Sequence, residues 1–460
     1  MVVVYFVIVI FVLVTVHEFG HFIAGRIFGM HVPVFSVGMG RRVLGWNKIN
    51  GFTLGPLKPE VEEKLGVMTD YRLSLIPMGG YAKIDGMIDE TQTEELSPVV
   101  QPWEFRAKSW WKKAIVLSAG VTMNILLAIA IFSFLRWHDG KTIMLTTKIG
   151  YVAHNSASER LGIHEGDEIL SVNGKAVHDW QDIDEEVIFK NIGRDITLTY
   201  ARDGQTHTAV YTTTMLRTAD PDSVDKQFGM LPIGFGAPKV DSVTASEGAE
   251  HAGIRHGDVI VAINGEAIVN GQSLIDHVES HPNENITVNW RRDTTIMSAA
   301  VKTNPAGHIG VAVSGLDYRG PKRVENYSIP QSVKLGLGDV GSSGALLGKT
   351  IWLVVTGKLE AKKAIGGPIK IAAASKDAAE HGFSAFLNLM ALLSVSLAFL
   401  NILPVPALDG GHLLIITIEA AIRRELSQKI KLGFQKVGVV ALLMLMAFIF
   451  FNDFRSVLMK

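Results

Sequence analysis

The sequence predicts a multi-domain membrane protein: an α-helical transmembrane core of four spans with membrane-associated β-loops, plus two β-rich domains. Three observations predict it. Of the 460 residues 48% are hydrophobic, which makes the chain too long for one domain and too apolar to be wholly soluble. Long apolar runs begin at residues 1, 114, 383 and 437, and residues 141–313 have soluble character and contain an internal repeat. The formal net charge is −1 with no long basic or acidic block, so nothing suggests nucleic acid as a partner. Cysteine is absent, which excludes disulfides and thiolate metal ligands.

Residues 1–30 carry no charged side chain before His17, and their length fits one spanning helix of about 20–25 residues. They lack the basic n-region of a cleaved signal and are expected to be retained. Within this run lies HEFGH, residues 17–21. An ionisable residue at membrane depth costs about 2.5–3.5 kcal/mol and by default marks a function. Helical positions four apart share a face, so His17 and His21 can offer two imidazole nitrogens to one metal ion. A carboxylate beside a bound Zn²⁺ can take a proton from the metal's water, which is the role this spacing gives Glu18.

Residues 31–113 are hydrophobic yet punctuated by Gly and Pro, as in FSVGMG (35–40) and SLIPMGGYAKI (74–84), and predict short strands and turns at a membrane surface. Non-helical backbone at membrane depth requires protein or water to satisfy it. Residues 35–40 and 71–76 are the segments expected to offer a sheet edge to an extended substrate. The polar residues 85–95 predict an exposed loop. A second span, 114–135, is entered through Trp111, Lys112 and Lys113 and contains Gly120 and, four residues on, Asn124.

The repeat pairs LGIHEGDEILSVNGKAV (161–177) with AGIRHGDVIVAINGEAI (252–268), identical at 8 of 17 positions. Each copy supplies a Gly-Asp turn, an alternating apolar strand and an Asn-Gly hairpin turn. Two small domains, 141–220 and 221–313, are expected. Both resemble the PDZ domain of bacterial proteases, a fold that binds extended chain termini by strand addition.

Residues 325–381 read as amphipathic surface helices, with breaks at 341–344 and 366–368; the apolar stretch 345–355 is too short to span. The third span and its terminating turn cover 383–414, a cytoplasmic segment covers 415–436, and the fourth span covers 437–452. In LPVPALDGGHLL (403–414), Pro404 and Pro406 bar regular helix and leave Asp409 on an irregular turn. Zn²⁺ held by His17, His21 and Asp409 would leave a fourth position open for water. His412 is expected on the helix surface. Basic residues cluster after span one, before span two and between spans three and four. The positive-inside rule makes those segments cytoplasmic, and the β-rich pair lies outside.

With these residues in view, the chain resembles the site-2 protease family of intramembrane zinc metalloproteases over nearly its whole length. The pairing of HEFGH with LDG in separate spans is specific to that family. The resemblance implies that His17, His21 and Asp409 are the zinc ligands and Glu18 the general base. It implies substrate-handling roles for Asn401, Pro404, Pro406 and Asn124, and for Gly38, Met39 and Gly40 in a membrane-reentrant β-loop, where this chain reads GMG and relatives often GFG. It further implies a multi-pass protein of the bacterial inner membrane, with periplasmic PDZ domains and its site toward the cytoplasm. The implied substrates are single-span membrane proteins, namely anti-sigma factors already cut once and remnant signal peptides. A PDZ-bearing scaffold with a vestigial metal site is the alternative, and the intact Glu18 speaks against it. A metal transporter would predict polar residues along 437–451, which has none.

Overall fold

A computed structural model of the chain describes residues 2–66, 68–87, 99–154, 156–191, 194–212, 228–314, 318–357 and 366–458. The expected exposed loop lies largely in 88–98, and part of the expected surface helices in 358–365, outside the described residues. Two compact units emerge. One comprises residues 1–140, 326–349 and 365–455; the other is built mainly from 141–325.

The first unit is helical with one sheet. Among the described residues three helices are long and apolar enough to cross a membrane: α1 (Val2–Ile27), α2 (Trp110–His138) and α5 (Phe383–Ile402). Between α2 and α5 run α3 (Ile329–Val355) and α4 (Pro368–Glu380); after α5 come α6 (Asp409–Ile422) and α7 (Gln428–Leu458), the last containing the run expected as the fourth span. Val9 and Leu13 of α1, Ala128, Ile131 and Phe132 of α2, and Met390, Ala391 and Val395 of α5 form one buried cluster. In lipid the lateral force is close packing, which small residues permit.

One expectation changes here. The glycines at 341–344 do not break the chain, because α3 runs through them. A helical glycine costs about 1 kcal/mol relative to alanine, which packing of Val340 and Leu347 on the α1–α2–α5 cluster offsets. The segment 415–436 is mostly helical, divided between α6 and α7.

The strands after α1 are longer than their sequence suggested: β1 (Val34–Asn47), β2 (Gly51–Leu54) and β3 (Asp70–Lys83), in the order β2-β1-β3. Gly38, Gly40 and Gly79 have φ of +86°, +85° and +85°, and there β1 and β3 fold back. Val34–Val37 therefore has neighbours on both sides, with Phe35 opposite both Ala82 and Tyr71. Residues 71–74 are also flanked, by 34–37 and by 42–46, as in Tyr71 opposite Trp46. The segments expected to present a free edge are thus largely interior; one edge falls on 80–83, beside α1, and the other on β2. Phe22 of α1 packs against Phe35 and Tyr71, ring centroids 5.2 and 5.6 Å apart, and fixes the sheet to the helix.

The second unit holds two β-rich modules with separate cores, one around Ile169, Leu198 and Tyr211, the other around Ile260, Val288 and Trp290. Glu168–Val172 and Val259–Ile263 are the repeated strands, each followed by a short return strand. The hairpin turns have positive φ at Asn173 and Gly174 and at Asn264 and Gly265, as Asn-Gly turns require. Each Asn Oδ1 accepts the backbone N–H of Thr197 or Thr287 at 2.8 Å. The boundary between modules shifts from the expected 221: Met230–Pro232 pairs with Ile149–Val152, and Phe228 and Met230 lie in the first module's core.

Candidate active site

α1 places His17 and His21 on one buried face, 6% and 7% exposed, with their Nε2 atoms 3.2 Å apart. Asp409 arrives from the other end of the sequence. After α5, residues 403–408 leave the helix, Ala407 is held at φ +73°, and α6 begins at Asp409 itself. The irregular turn expected at Asp409 therefore ends one residue before it. Two glycines make the fold-back possible: a Cβ at Gly410 or Gly411 would strike the carbonyl oxygens of Leu403 and Val405.

The outcome is Asp409 Oδ2 at 3.0 Å from His17 Nε2 and 3.4 Å from His21 Nε2. Asp409 Oδ2 has no hydrogen-bond partner among the described residues. Zn²⁺ bonds of about 2.0–2.1 Å at tetrahedral angles separate ligand atoms by about 3.3 Å. The three observed separations match that spacing, and a carboxylate with two imidazoles is a donor set that zinc takes. The residues present fit the metal.

Glu18 is anchored by the sheet edge, its Oε2 accepting from the Ala82 N–H at 3.0 Å. A Cβ at Gly80 would lie 3.7 Å from Glu18 Cγ. Glu18, His17, His21 and Asp409 line one cavity of about 320 Å³, whose other walls include Met39, Gly79–Ala82, Leu397, Asn401 and His412. Helix α1 thus presents its polar groups to a protein cavity, as a spanning helix must.

Of the residues expected to handle substrate, Asn401 lines the cavity, its Nδ2 3.4 Å from His17 Nε2. Met39 lines it too, next to Gly79. Gly38 permits the β1 bend, since a Cβ there would meet Ile76 O at 2.7 Å. Gly40 turns the same loop at positive φ. Pro404 is exposed, and Pro406 packs against Gly438 of α7. Asn124 is fully buried and turns its amide to His17 Nδ1 at 3.2 Å, away from the cavity lining. His412, expected on the helix surface, lines the cavity and lies 3.2 Å from Gln435 Nε2.

Sequence reasoning missed Val116, whose carbonyl is 2.8 Å from His21 Nδ1, because a backbone acceptor has no sequence signature. It also missed Gly79 to Ala82 as the anchor of Glu18. The double glycine was the available signal.

Two buried histidines and a partly buried aspartate with an adjacent glutamate, in a unit built on membrane-length helices, are the equipment of a membrane metallopeptidase. The comparisons name the family. The model of Peptidase family M50 matches residues 5–445, and the chain belongs to that family. A Vibrio cholerae protein named "Putative zinc metalloprotease" is 31% identical over 98% of this chain and 97% of its own. The Regulator of sigma E protease of Haemophilus influenzae is 29% identical, and Protease RseP of Yersinia pestis 28%, each over 98% of this chain and 97% of its own. Among solved structures, the PDZ domain of an SdrC-like protein from Listeria innocua aligns with 18% of this chain and 98% of its own at 24% identity, TM-score 0.16. This chain is a zinc metalloprotease and an integral membrane protein.

Proposed function

We propose that the chain hydrolyses peptide bonds inside the transmembrane segments of single-span proteins, with His17, His21 and Asp409 as zinc ligands and Glu18 as general base. The observation that carries the reading is the convergence of three ligand atoms and a carboxylate in one cavity along an apolar helix. Zinc held by His17, His21 and Asp409 would supply Lewis-acid chemistry, making a water more acidic and a peptide carbonyl more electrophilic. Glu18 takes the water's proton and later returns it to the leaving amine.

A substrate reaching this cavity as a helix must first unwind, and unpaired backbone groups in lipid cost several kcal/mol each. The edge at 80–83 can take up an extended segment by strand addition, and it also holds Glu18, which aligns the bound peptide with the base. Asn401, Met39 and the loop of Gly38 and Gly40 line its path, and Pro404 and Pro406 keep residues 403–408 non-helical beside it.

The full reading comprises four spans, with α7 as the fourth, in a bacterial inner membrane, and two PDZ domains on the periplasmic side. Those domains exclude bulky uncut substrates. The substrate class is anti-sigma factors after a first cleavage, together with signal-peptide remnants; the names of the relatives and the domain order support it. The test is incubation of purified protein with a model single-span substrate, with and without chelator. Cleavage within the span that zinc restores is the expected result. Chelator-insensitive cleavage, or cleavage only outside the span, would sink it.

A further inference from the structure

Asn124 has an environment that substrate contact does not explain. It is 0% exposed, it does not line the cavity, and His17 Nδ1, at 3.2 Å, is the one hydrogen-bond partner of its side chain among the described residues. Its Oδ1 is buried and without a partner in the orientation described. A buried amide with a single contact costs free energy unless that contact serves something.

The geometry of α2 supplies the purpose. Val116, Gly120 and Asn124 follow one another at intervals of four along α2, as His17 and His21 do along α1. At one end, Val116 O lies 2.8 Å from His21 Nδ1. In the middle, Gly120 lets the helices close up, because a Cβ there would stand 2.7 Å from His17 Cε1 and against His21 Nε2. At the other end, Asn124 meets His17. Ser394 of α5 donates to Asn124 O at 2.8 Å and fixes that end of the stack.

We propose that Asn124 is a positioning residue for the metal site, holding His17 in the tautomer and ring orientation that turn Nε2 toward Asp409. The inference rests on the reading of His17 as a zinc ligand. An imidazole that gives its Nε2 lone pair to a metal carries its proton on Nδ1, and that N–H can only donate. The amide atom facing His17 is then Oδ1, the acceptor, a half-turn from the orientation described; amide O and N are assigned from the hydrogen-bond network. Val116 O serves His21 in the same way. One face of α2 therefore presets both histidines, and the Gly120-to-Asn124 spacing is a metal-site motif in which glycine permits the approach and asparagine sets the ring.

The experiment measures zinc affinity of the full-length protein in detergent by competition with a chromophoric chelator, alongside kcat and KM on a single-span substrate. Asn124→Ala and Asn124→Leu are each expected to lose 10- to 100-fold in zinc affinity, the usual cost of removing such a partner. Asn124→Asp, whose carboxylate still accepts from Nδ1–H, is expected to stay within about threefold of the parent. KM should hold in all three at saturating zinc. A role in packing alone would make the near-isosteric Asn124→Leu the mildest and the buried charge of Asn124→Asp the worst; that order overturns the proposal. So does a raised KM with unchanged zinc affinity, which would return Asn124 to substrate contact. His17→Ala separates the two layers: unchanged zinc affinity there removes the ligand assignment itself, whereas its loss alongside a wild-type Asn124→Leu removes only the positioning role.

Discussion

Two carboxylates shielded from solvent, one in each unit, have opposite surroundings. Asp167 in the first β-rich module accepts from Arg202 Nε and Nη2 at 2.7 and 2.6 Å and from the His164 N–H at 2.8 Å. Asp258 repeats this with Arg292 and the Arg255 N–H. These carboxylates are complete: a fixed cation and a backbone donor neutralise and satisfy them, and the arginines continue to the Gly162 and Gly253 carbonyls to close the turn. Among the described residues Asp409 faces two imidazoles and no lysine or arginine, and its Oδ2 accepts no well-formed hydrogen bond. A buried charge is tolerated only when paired or metal-bound. A carboxylate that closes a turn has its own cation built in, whereas Asp409 has only two imidazoles beside it, which suits the proposed metal ligand.

Removing the chemistry at the metal site should give the largest effect. Glu18→Gln is expected to lower kcat by about 10²–10⁴-fold, the usual contribution of a general base, and to leave zinc bound, while Asp409→Asn loses the metal. Zinc content and a cleavage time course read both. Near-normal cleavage by Glu18→Gln would remove the base assignment.

Next is the sheet edge. Ala82→Pro deletes the N–H that holds Glu18 and spoils strand addition, so cleavage should fall about tenfold or more with zinc retained. Substrates with Gly or Pro in the span should be cut faster than a Leu-rich one; equal rates at matched binding would show that unwinding is not limiting.

Asp167→Asn should instead destabilise its module by about 1–3 kcal/mol, the cost of poorly satisfied buried partners, and leave cleavage of a pre-trimmed substrate unchanged. Thermal melting and the cleavage assay together decide it, since a loss of activity at the permissive temperature would tie this turn to catalysis.

A pH effect follows from the same pair. Burial disfavours ionisation of Asp167 and Asp258, but the arginine and backbone hydrogen bonds outweigh it and hold both carboxyls below their ordinary value. A depressed folded-state pKa contributes stability above the unfolded value of about 3.9, and that contribution disappears as pH falls through the folded value. The isolated melting transition of these modules should therefore drop below about pH 4, and less steeply in Arg202→Met. A pH-independent transition would contradict the pairing.

The mildest expected change is regulatory. Deleting residues 141–313 should broaden cleavage to untrimmed substrates without lowering the rate on trimmed ones; complete loss of activity in a correctly inserted deletion would show that the modules are needed for catalysis.

The sequence alone determined what depends on local spacing and solvation. The four-residue interval in HEFGH, the apolar run around it, the prolines before Asp409 and the repeated Gly-Asp and Asn-Gly turns are each legible because helix period, lipid and turn geometry act over a few residues. Only tertiary structure decided which groups meet across the chain. Asp409 reaches His17 and His21 from almost 400 positions away in sequence, with Gly410 and Gly411 folding its loop back. The edge beside α1 fell on 80–83 because β1 and β3 bend at glycines whose consequence depends on their partners. Arg202 and Arg292 lie outside the repeated windows, and their link to Asp167 and Asp258 appears once strands pair. Val116 meets His21 through a carbonyl that every residue possesses, and Asn124 meets a ring on another helix. Such contacts are fixed by close packing between elements, and a linear sequence does not state which of its apolar faces will be pressed together.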